Sequence, residues 1–579
     1  MTDAAPGWAF RRWWRLRRLL RPREIHVTLF YAGLVGALSA VAYWVFREAL
    51  AGAQWLFTQH DGDIVDAARA LPPWRRALTP AAGGLFAGLA LYLGSRLTRG
   101  QKMTDYMEAA VIGDGVIRAR PSLVRALSAL FTNASGGSIG REGPVVQMGT
   151  VLASMLGRLR GMSPARLRLM VACGGAAGIA SVYNAPIAGA LFMAEIVLGS
   201  IAMETFGPLI VASVVGTVLT REFLGGEPIF GRPTFLLTSP GELLLYTALG
   251  LGLGVAAALW IRLLRAAERG FQRLKWPPWL RLAAGGMIVG AISLGKPEVW
   301  GNGYSVVNDI LHGGWLPGAL TLLLFAKLAA TLATAGSGAA GGVFTPTLFL
   351  GVAMGALFGQ AAHGLWPAAT GDPEGYALVG MGSFLAATTH APLTAVLMVF
   401  EMTLDYDIVL PLMVAAVLAY FTGSALEKSS VYSRSLERVR AESPAAPRTR
   451  SVGDLLKPAP ACVVESSSLE EVARRYLKQP STHLEVVDAA GRLVGAISMR
   501  ELDAHLHTPE LARLVSAGDV MQPAVPAVPA DALLGTALEL FAQHDRDHLP
   551  VVDPAEPRRV VGLISRSDVL LSLAQAERN

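Results

Sequence analysis

The chain has 579 residues, of which 52% are hydrophobic and 16% are charged, with a net charge of +6. Together with a mean hydropathy of +0.43, this composition excludes an ordinary soluble protein and indicates a polytopic membrane protein. Two cysteines exclude a disulfide framework and a cysteine-rich metal site.

The first 24 residues form a basic segment. Arginines are dense between residues 11 and 23, interleaved with Trp13, Trp14 and Leu16. This pattern predicts a helix at the cytoplasmic face of a membrane, because positive charge is retained on that side and aromatic rings favour the interface. No cleavable signal pattern precedes it. We therefore expect a multi-pass protein of the cell (inner) membrane with both termini in the cytoplasm.

Residues 25–438 read as a membrane domain of apolar segments interrupted by glycine and proline. Several segments are shorter than the roughly 20 residues that span a bilayer as a helix. Broken helices place non-helical backbone at membrane depth, as is typical of transporters and channels. The long segments are 27–50, 77–97, 204–222, 240–265, 279–295, 315–335 and 408–425, and the shorter ones are 123–133, 145–157, 167–182, 186–199, 343–363, 377–388 and 392–403.

An internal repeat divides this domain into halves of about 25–222 and 240–425. Ser135–Pro144 matches Ser337–Pro346 with an offset of 202 (342 − 140 for the aligned glycines). Ala185–Glu195 matches Ala391–Glu401 with an offset of 206 (401 − 195). Such pairs of broken segments indicate a central substrate site. The sequence leaves open whether the halves are parallel or inverted.

Gly140-Arg-Glu-Gly-Pro144 places the carboxylate of Glu142 between apolar segments. An ionised side chain at membrane depth is costly, which makes it a candidate functional residue. Pro144 and the neighbouring glycines predict an irregular turn that feeds a helix N-terminus, where backbone N–H groups attract anions. We therefore expect an anion site in the membrane that is guarded by Glu142.

After residue 438 the pattern becomes that of a soluble α/β protein. A linker, 439–450, precedes two similar units, 451–510 and 511–579. Because neither unit is large enough to bury its apolar face alone, we expect the two to pair. The predicted fold is an all-α membrane domain of broken helices followed by a small α/β tandem module.

The tail resembles a tandem pair of CBS domains, a module that often binds adenosine nucleotides. The resemblance implies that Ser565 and Asp568, in a Ser-x-x-Asp pattern at the last strand-to-helix turn, contact the ribose of ATP or AMP, with Ser498 at the matching place in the first unit. The alternative is a pair that only packs against the membrane domain or a partner.

The membrane domain resembles the CLC family of chloride channels and proton/chloride antiporters, and in particular its bacterial members, over most of residues 25–435. The resemblance rests on Gly140–Pro144, on Gly342–Pro346 and on a tyrosine near residue 432. It implies inverted repeats, a homodimer with one anion path per subunit, and chloride or other small anions as substrate across a lipid bilayer. The implied site has Glu142 as its gate, Gly140, Arg141, Gly342, Val343, Phe344 and Tyr432 as anion-binding residues, and Pro144 and Pro346 as structural neighbours.

Two details of this resemblance need their own interpretation. Arg141 could also be a structural residue that holds the turn and does not bind the anion. The family's first anion-binding motif, Gly-Ser-Gly-x-Pro, is replaced here by Gly100-Gln-Lys-Met-Thr104, so that the serine hydroxyl is missing. We expect Gln101 or Thr104 to take its place. Lys102 either lies near the ion path or extends to the interface.

A further departure concerns proton coupling. Antiporters of the family usually carry a Glu-Glu pair whose second glutamate relays protons, whereas this chain has Glu195-Ile196. Ile196 cannot carry a proton, and we expect Glu195 and its repeat equivalent Glu401 to be structural. We therefore predict glutamate-gated chloride conduction of the voltage-gated channel type. The alternatives are a proton/chloride antiporter of the same family and a nucleotide-sensing regulatory membrane protein.

Nothing in the sequence requires a cofactor or a metal, and we expect no catalytic residues and no nucleic-acid partner. Residues 290–297 approach a P-loop, but Pro297 replaces the Ser/Thr that binds Mg²⁺. An enzyme is therefore not expected.

Overall fold

The computed structural model describes residues 24–98, 104–111, 113–199, 201–226, 228–231, 237–432, 451–458, 462–478, 483–498, 502, 515–523, 525–544, 546, 548–556, 558–566 and 568–569. The chain divides into two compact units, Met1–Leu436 and Glu437–Asn579. The predicted basic helix of residues 1–24 lies outside the described residues except for Glu24.

The first unit is all-α. Among the described residues, eight of its helices are long and apolar enough to cross a membrane. In chain order the helices are α1 (Glu24–Thr58), α2 (Ile64–Ala70), α3 (Pro73–Leu97), α4 (Tyr106–Val111), α5 (Ala119–Ala134), α6 (Glu142–Leu159), α7 (Pro164–Tyr183), α8 (Pro186–Leu191), α9 (Met203–Leu224), α10 (Glu242–Arg273), α11 (Pro278–Ser293), α12 (Tyr304–Leu311), α13 (Pro317–Gly336), α14 (Phe344–Leu365), α15 (Pro373–Thr389), α16 (Pro392–Thr403) and α17 (Val409–Leu426).

Helix α7 is longer than the predicted segment 167–182, whereas α14 closely matches the predicted segment 343–363. Helix α7 has 20 residues and α14 has 22, and both lie largely inside the protein. Glycines in α7 lower the sequence signal for a membrane span, and the protein interior accommodates them because they allow helices to pack closely. Helix α8 is short, as predicted, and continues as one π-helical stretch, Phe192–Leu198.

The internal repeat is visible in the helix boundaries. Helices α6 and α14 begin 202 residues apart (344 − 142), and α8 and α16 begin 206 apart (392 − 186). The crossing of α6 with α7 is repeated in the crossing of α14 with α15. A Cβ atom added at Gly149 would overlap the carbonyl oxygen of Gly174, and one added at Gly351 would overlap that of Gly380. Glycines at these crossings allow the backbones to touch, so the same close packing is built twice.

The second unit contains two four-stranded sheets that exchange strands between the repeats. One sheet has the order β1-β8-β7-β6 and the other β2-β3-β4-β5. The elements are β1 (Lys457–Pro458), β2 (Val463–Val464), α18 (Leu469–Lys478), β3 (His483–Val487), β4 (Leu493–Ser498), α19 (Ala517–Val520), β5 (Gln522–Pro523), β6 (Val528–Pro529), α20 (Leu534–Gln543), β7 (His548–Val552) and β8 (Val560–Ser565).

The exchanged strands are β1 and β5. Strand β1 precedes the first repeat but pairs antiparallel with β8 of the second, whereas β5 follows the division at residue 510 but pairs with β4 of the first. The two repeats of the second unit, 451–510 and 511–579, therefore pair, as predicted from their apolar faces. The sheets cross the division that the sequence suggested at residues 510 and 511.

Candidate functional site

The site is built where the two repeated loops meet. The N–H of Gly140 donates to the carbonyl oxygen of Gly342 over 2.7 Å, and the N–H of Gly342 donates to that of Gly140 over 3.0 Å. Because the two glycines are repeat equivalents, this reciprocal antiparallel pair places an approximate local two-fold axis between the halves. The sequence had left this relationship open. Helices α6 and α14 begin immediately after these loops, so their N-termini converge on one place.

The carboxylate of Glu142 occupies that place. Its Oε1 accepts from the N–H of Phe344 over 3.0 Å and from the N–H of Thr345 over 3.3 Å, while its Oε2 accepts from the Thr345 hydroxyl over 3.2 Å. The residue is only 2% exposed. These donors form the first turn of α14, where a partial positive charge and free N–H groups bind anions. The carboxylate of Glu142 is therefore held by donors at a helix N-terminus.

The glycines make this approach possible. A Cβ atom added at Gly140 or at Gly342 would overlap the carboxylate of Glu142. The predicted turn differs in one detail: α6 already begins at Glu142, and Pro144 lies inside its first turn rather than ahead of it. Pro346 has the same position in α14. A proline is compatible with the first helical turn because the N–H that it lacks would have no partner there.

Aromatic rings enclose the carboxylate site. Tyr183 lies 4.9 Å from the Phe344 ring, and its hydroxyl is 3.1 Å from the Thr345 hydroxyl that contacts Glu142. Phe192 packs edge-on against Tyr432, with ring centroids 5.3 Å apart, and against Phe344 at 6.2 Å. The structure thus brings the predicted Phe344 and Tyr432 into one cluster. Val343 is the residue immediately before α14.

Tyr183 and Thr345 were not predicted from the sequence. Thr345 lies inside the recognised Gly342–Pro346 segment, so its hydroxyl was an available signal. Tyr183 ends α7 directly before the Ala185-Pro186 repeat. Its place beside the site depends on the fold of distant segments, which local sequence does not reveal.

Arg141 contacts an aromatic ring beside the carboxylate site. Its guanidinium carbon lies 5.5 Å from the centre of the Tyr304 ring, a distance suited to a cation–π contact. Tyr304 in turn packs edge-on against Tyr183. These contacts suit a residue that holds the turn, and both the structural and the anion-binding roles of Arg141 stay predictions.

The replacement of the first anion-binding motif is only partly described. Gln101 and Lys102 lie outside the described residues, and Thr104 lies inside them. The carbonyl oxygen of Thr104 accepts from the Gln147 amide over 3.2 Å, and Gln147 also accepts from the N–H of Tyr106 over 3.3 Å. Gln147, a polar residue on the buried face of α6, therefore fastens the start of α4 to the helix that carries Glu142. No motif in the sequence marks Gln147.

Glu195 and Glu401 make reciprocal contacts across the repeat. The Glu195 carboxylate accepts from the N–H groups of Leu393 (3.2 Å) and Thr394 (2.8 Å) and from the Thr394 hydroxyl (2.6 Å), at the start of α16. The Glu401 carboxylate accepts from the N–H groups of Ile187 (3.0 Å) and Ala188 (2.8 Å), at the start of α8. Each carboxylate thus caps the helix of the other half.

Ile196, the residue after Glu195, is apolar and has apolar surroundings. Ile196 lies in the π-helical stretch and packs, partly buried, against the hydrophobic core. No ionisable group occupies this position, so any proton passing here would need another carrier.

The second unit holds the other candidate site. Ser565 donates its hydroxyl to Asp568, and the N–H of Asp568 donates back to the Ser565 hydroxyl over 3.1 Å. Lys457 of β1 lies 2.6 Å from the Asp568 carboxylate. Partial burial acts to raise the pKa of Asp568, but Lys457 and the Ser565 hydroxyl outweigh it and lower the pKa. Ser498 ends β4 in the other sheet, at the place that matches Ser565 at the end of β8.

The first unit therefore defines a class: a polytopic membrane protein whose broken helices converge on a buried glutamate carboxylate. A family profile described as "Voltage gated chloride channel" matches residues 83–424. The chain belongs to this family, the CLC family of chloride channels and transporters. A CBS-domain profile matches residues 452–507 and 517–575. The predicted family and fold class are confirmed.

Named relatives agree with this assignment. The "Putative chloride channel protein ClcB-like" of Ralstonia nicotianae is 52% identical over 416 residues, which cover 71% of this chain and 97% of that protein. The "Voltage-gated ClC-type chloride channel ClcB" of Citrobacter koseri is 42% identical over 410 residues, covering 70% of this chain and 97% of that protein.

Solved structures of CLC proteins have a fold similar to that of this chain. A slow cyanobacterial Cl⁻/H⁺ antiporter is 26% identical with a TM-score of 0.64, covering 73% of this chain and 99% of the other. A eukaryotic CLC transporter is 20% identical with a TM-score of 0.65, covering 94% of this chain and 98% of the other. Both channels and antiporters thus occur among the proteins similar to this one.

Proposed function

We propose that the protein conducts chloride passively across the membrane and that Glu142 is its gate. The observation that carries the proposal is the Glu142 carboxylate on the first turn of α14, with hydrogen bonds from Phe344 and Thr345. The carboxylate is a tethered anion. While it is docked, it excludes chloride from the site, and when it is protonated or displaced, the same donors become available to chloride.

The choice of donors suits conduction. A helix N-terminus carries about half a unit charge. At ~4 Å and an effective dielectric constant of ~20, this attracts a chloride ion by roughly 2 kcal/mol, against roughly 4 kcal/mol for a full lysine or arginine charge. Partial charges therefore favour rapid release over tight binding. Gly140 and Gly342 keep the backbone close to the ion, and the Tyr432 ring, packed against Phe192, forms part of the surrounding wall.

Ile196 supports a channel over an antiporter. The resemblance to the CLC family places the proton-relaying glutamate of antiporters at this position, where the chain has an apolar residue packed against the core. Glu195, next to it, is bound by three donors of α16 and serves as a helix cap. The competing function is proton/chloride exchange by another proton path, and the similarity to a Cl⁻/H⁺ antiporter supports that alternative.

Purified protein in liposomes distinguishes the two functions. An outward chloride gradient is applied at symmetric pH, and chloride efflux and internal pH are recorded together. A channel moves chloride without net proton movement, whereas uphill proton movement that persists when the membrane potential is clamped would refute the channel assignment. Protein-free liposomes control for leak. The Glu142→Gln variant controls for proton transfer through the gate, because an amide side chain does not titrate.

We place the protein in the cell (inner) membrane as a homodimer with one anion path in each subunit. The family resemblance supports the dimer, and the arginine-rich N-terminus supports a cytoplasmic position for that end. The CBS pair, on the same reasoning, lies in the cytoplasm. Cross-linking in native membranes tests the dimer, and protease access from either side of sealed vesicles tests the orientation.

The CBS pair supports a second function, regulation by an adenosine nucleotide such as ATP or AMP. The turn formed by Ser565 and Asp568 places a hydroxyl and a carboxylate together, a combination that suits a ribose. Chloride flux is measured with ATP or AMP for the full chain and for a chain lacking residues 446–579. A response that is the same in both, or absent in the full chain, removes the regulatory role.

A further inference from the structure

Helix α13 presents a polar face to the loop that carries Glu142. Lys327, Thr331 and Thr334 follow one another at intervals of four and three residues, which place them on one side of the helix. All three are buried, and Lys327 and Thr331 are fully so. A buried lysine in a helix that is apolar enough to cross a membrane is costly and indicates a specific role.

The two threonines hold the loop directly. The hydroxyl of Thr334 accepts from the N–H of Ser138 over 3.2 Å, and the hydroxyl of Thr331 lies 2.9 Å from the hydroxyl of Ser138. Ser138 is fully buried and lies in the loop, residues 135–141, that ends one residue before Glu142. Two hydrogen bonds from one helix therefore fix the middle of this loop.

Lys327 holds the same loop through an intermediate turn. Its amino group donates to the carbonyl oxygens of Val299 (3.0 Å) and Gly301 (2.8 Å). The N–H of Gly301 donates to the carbonyl oxygen of Gly136 over 3.3 Å. The Trp300 ring covers Gly136 so closely that a Cβ atom there would overlap it. Lys327 thus fixes a turn that contacts the loop 135–141 near its start, at Gly136.

The other half of the repeat lacks the two threonine contacts to its loop, although Arg125 is the repeat equivalent of Lys327 (327 − 202 = 125). Shifting by 202 residues places Ala340 at the position of Ser138 and Ala129 at that of Thr331, and neither side chain can form a hydrogen bond. The equivalent of Thr334 is Thr132, whose hydroxyl donates to the carbonyl oxygen of Ser128 in its own helix. Among the described residues, no side-chain hydrogen bond joins α5 to residues 337–343. The repeated fold therefore does not require the two threonine contacts to the loop, which occur in the half whose loop leads to a carboxylate.

We propose that Lys327, Thr331 and Thr334 are positioning residues that fix the loop 135–141 and thereby set how firmly Glu142 docks on α14. The proposal rests on the gating role of Glu142 proposed above. A loop held at Ser138 and Gly136 keeps the first turn of α6 in register with the donors Phe344 and Thr345. A loosened loop lets the carboxylate leave more often.

The test uses Thr331→Val and Thr334→Val in the full chain, because valine preserves the shape of threonine and removes its hydroxyl. Thr132→Val is the matched control, since it removes a buried hydroxyl at the repeat-equivalent place that bonds only within its own helix. Each variant is made in the wild-type chain and in the Glu142→Gln chain. Chloride efflux from liposomes is one readout, and hydrogen–deuterium exchange of a peptide covering residues 135–141 is the other.

We expect Thr331→Val and Thr334→Val each to raise chloride efflux and loop exchange about fivefold in the wild-type chain, the effect of one typical lost hydrogen bond. In the Glu142→Gln chain they should raise exchange but leave efflux unchanged. Equal effects on efflux in both chains, or no increase in exchange relative to Thr132→Val, would overturn the proposal. If Glu142→Gln alone leaves efflux unchanged, the gating role fails, and the exchange data still decide whether α13 holds the loop.

Discussion

Replacing Glu142 by glutamine removes the charge of the docked side chain and keeps its size. The carboxylate is bound by the half charge of the α14 N-terminus and by three hydrogen bonds. The charge interaction alone is worth about 2 kcal/mol at ~4 Å and a dielectric constant of ~20. Since about 1.4 kcal/mol corresponds to a factor of ten, removing it should free the site by about 30-fold. We therefore expect chloride efflux at neutral pH to rise by about that factor.

The assay is chloride efflux from liposomes at a series of pH values from about 4.5 to 7.5. Wild-type efflux should rise as the pH falls, because protonation neutralises the docked carboxylate, whereas efflux through Glu142→Gln should not depend on pH. Glu195→Gln is the matched control. Glu195 has the same set of donors, two successive N–H groups and a threonine hydroxyl, at a different helix, and its variant should keep the pH dependence. A Glu142→Gln variant with wild-type efflux and wild-type pH dependence would refute the gating role.

Two further predictions concern stability and thiol chemistry. Glu401→Gln leaves one acceptor for the N–H groups of Ile187 and Ala188 and should lower the free energy of unfolding by about 1–2 kcal/mol. The measurement is the midpoint of thermal unfolding in detergent, which should fall. An unchanged midpoint would contradict the capping role. Burial raises the pKa of the Cys462 thiol to about 11. At pH 7.5, a thiol reagent should therefore label Cys462 roughly 300-fold more slowly than a free cysteine. The labelling rate should rise about tenfold per pH unit up to pH 9. Rapid labelling of the native protein, with detergent-denatured protein as the control, would contradict it.

The repeat offsets allowed the sequence to predict where the halves meet. Gly140 and Gly342 were aligned by their glycine and proline neighbours, and the structure joins them by two hydrogen bonds. Glycine and proline fix local backbone geometry wherever they occur, so their spacing survives in the sequence even when the side chains between them differ. For this reason, the position of the site was predictable.

The partners of Glu142 were less accessible to the same reasoning. Phe344 was among the predicted site residues, but the Thr345 donor and the supporting hydroxyl of Tyr183, which comes from a third segment, were not. Gln147 and Lys327 act on loops rather than on the site itself. A residue of this kind carries no motif, and its only signal in the sequence is a polar side chain in an apolar helix.

The strand exchange in the second unit was not predictable for a different reason. Strands β1 and β5 contain two residues each, too few for any alternation of apolar and polar side chains. Their pairing with the opposite repeat follows from how the two repeats pack together. The sequence indicated this packing only as a need to bury apolar faces.

Glu142, Glu195 and Glu401 each dock on a helix N-terminus of the opposite half, and symmetry distinguishes the gate from the two caps. Glu195 and Glu401 are repeat equivalents, each capping the helix of the other half, so both are fixed by the fold. Glu142 has Phe344 as its repeat equivalent (344 − 142 = 202). Two carboxylates at those positions would compete for one site on the local axis and repel each other. With an uncharged partner, one carboxylate can occupy or leave the site, which is the property that a gate needs.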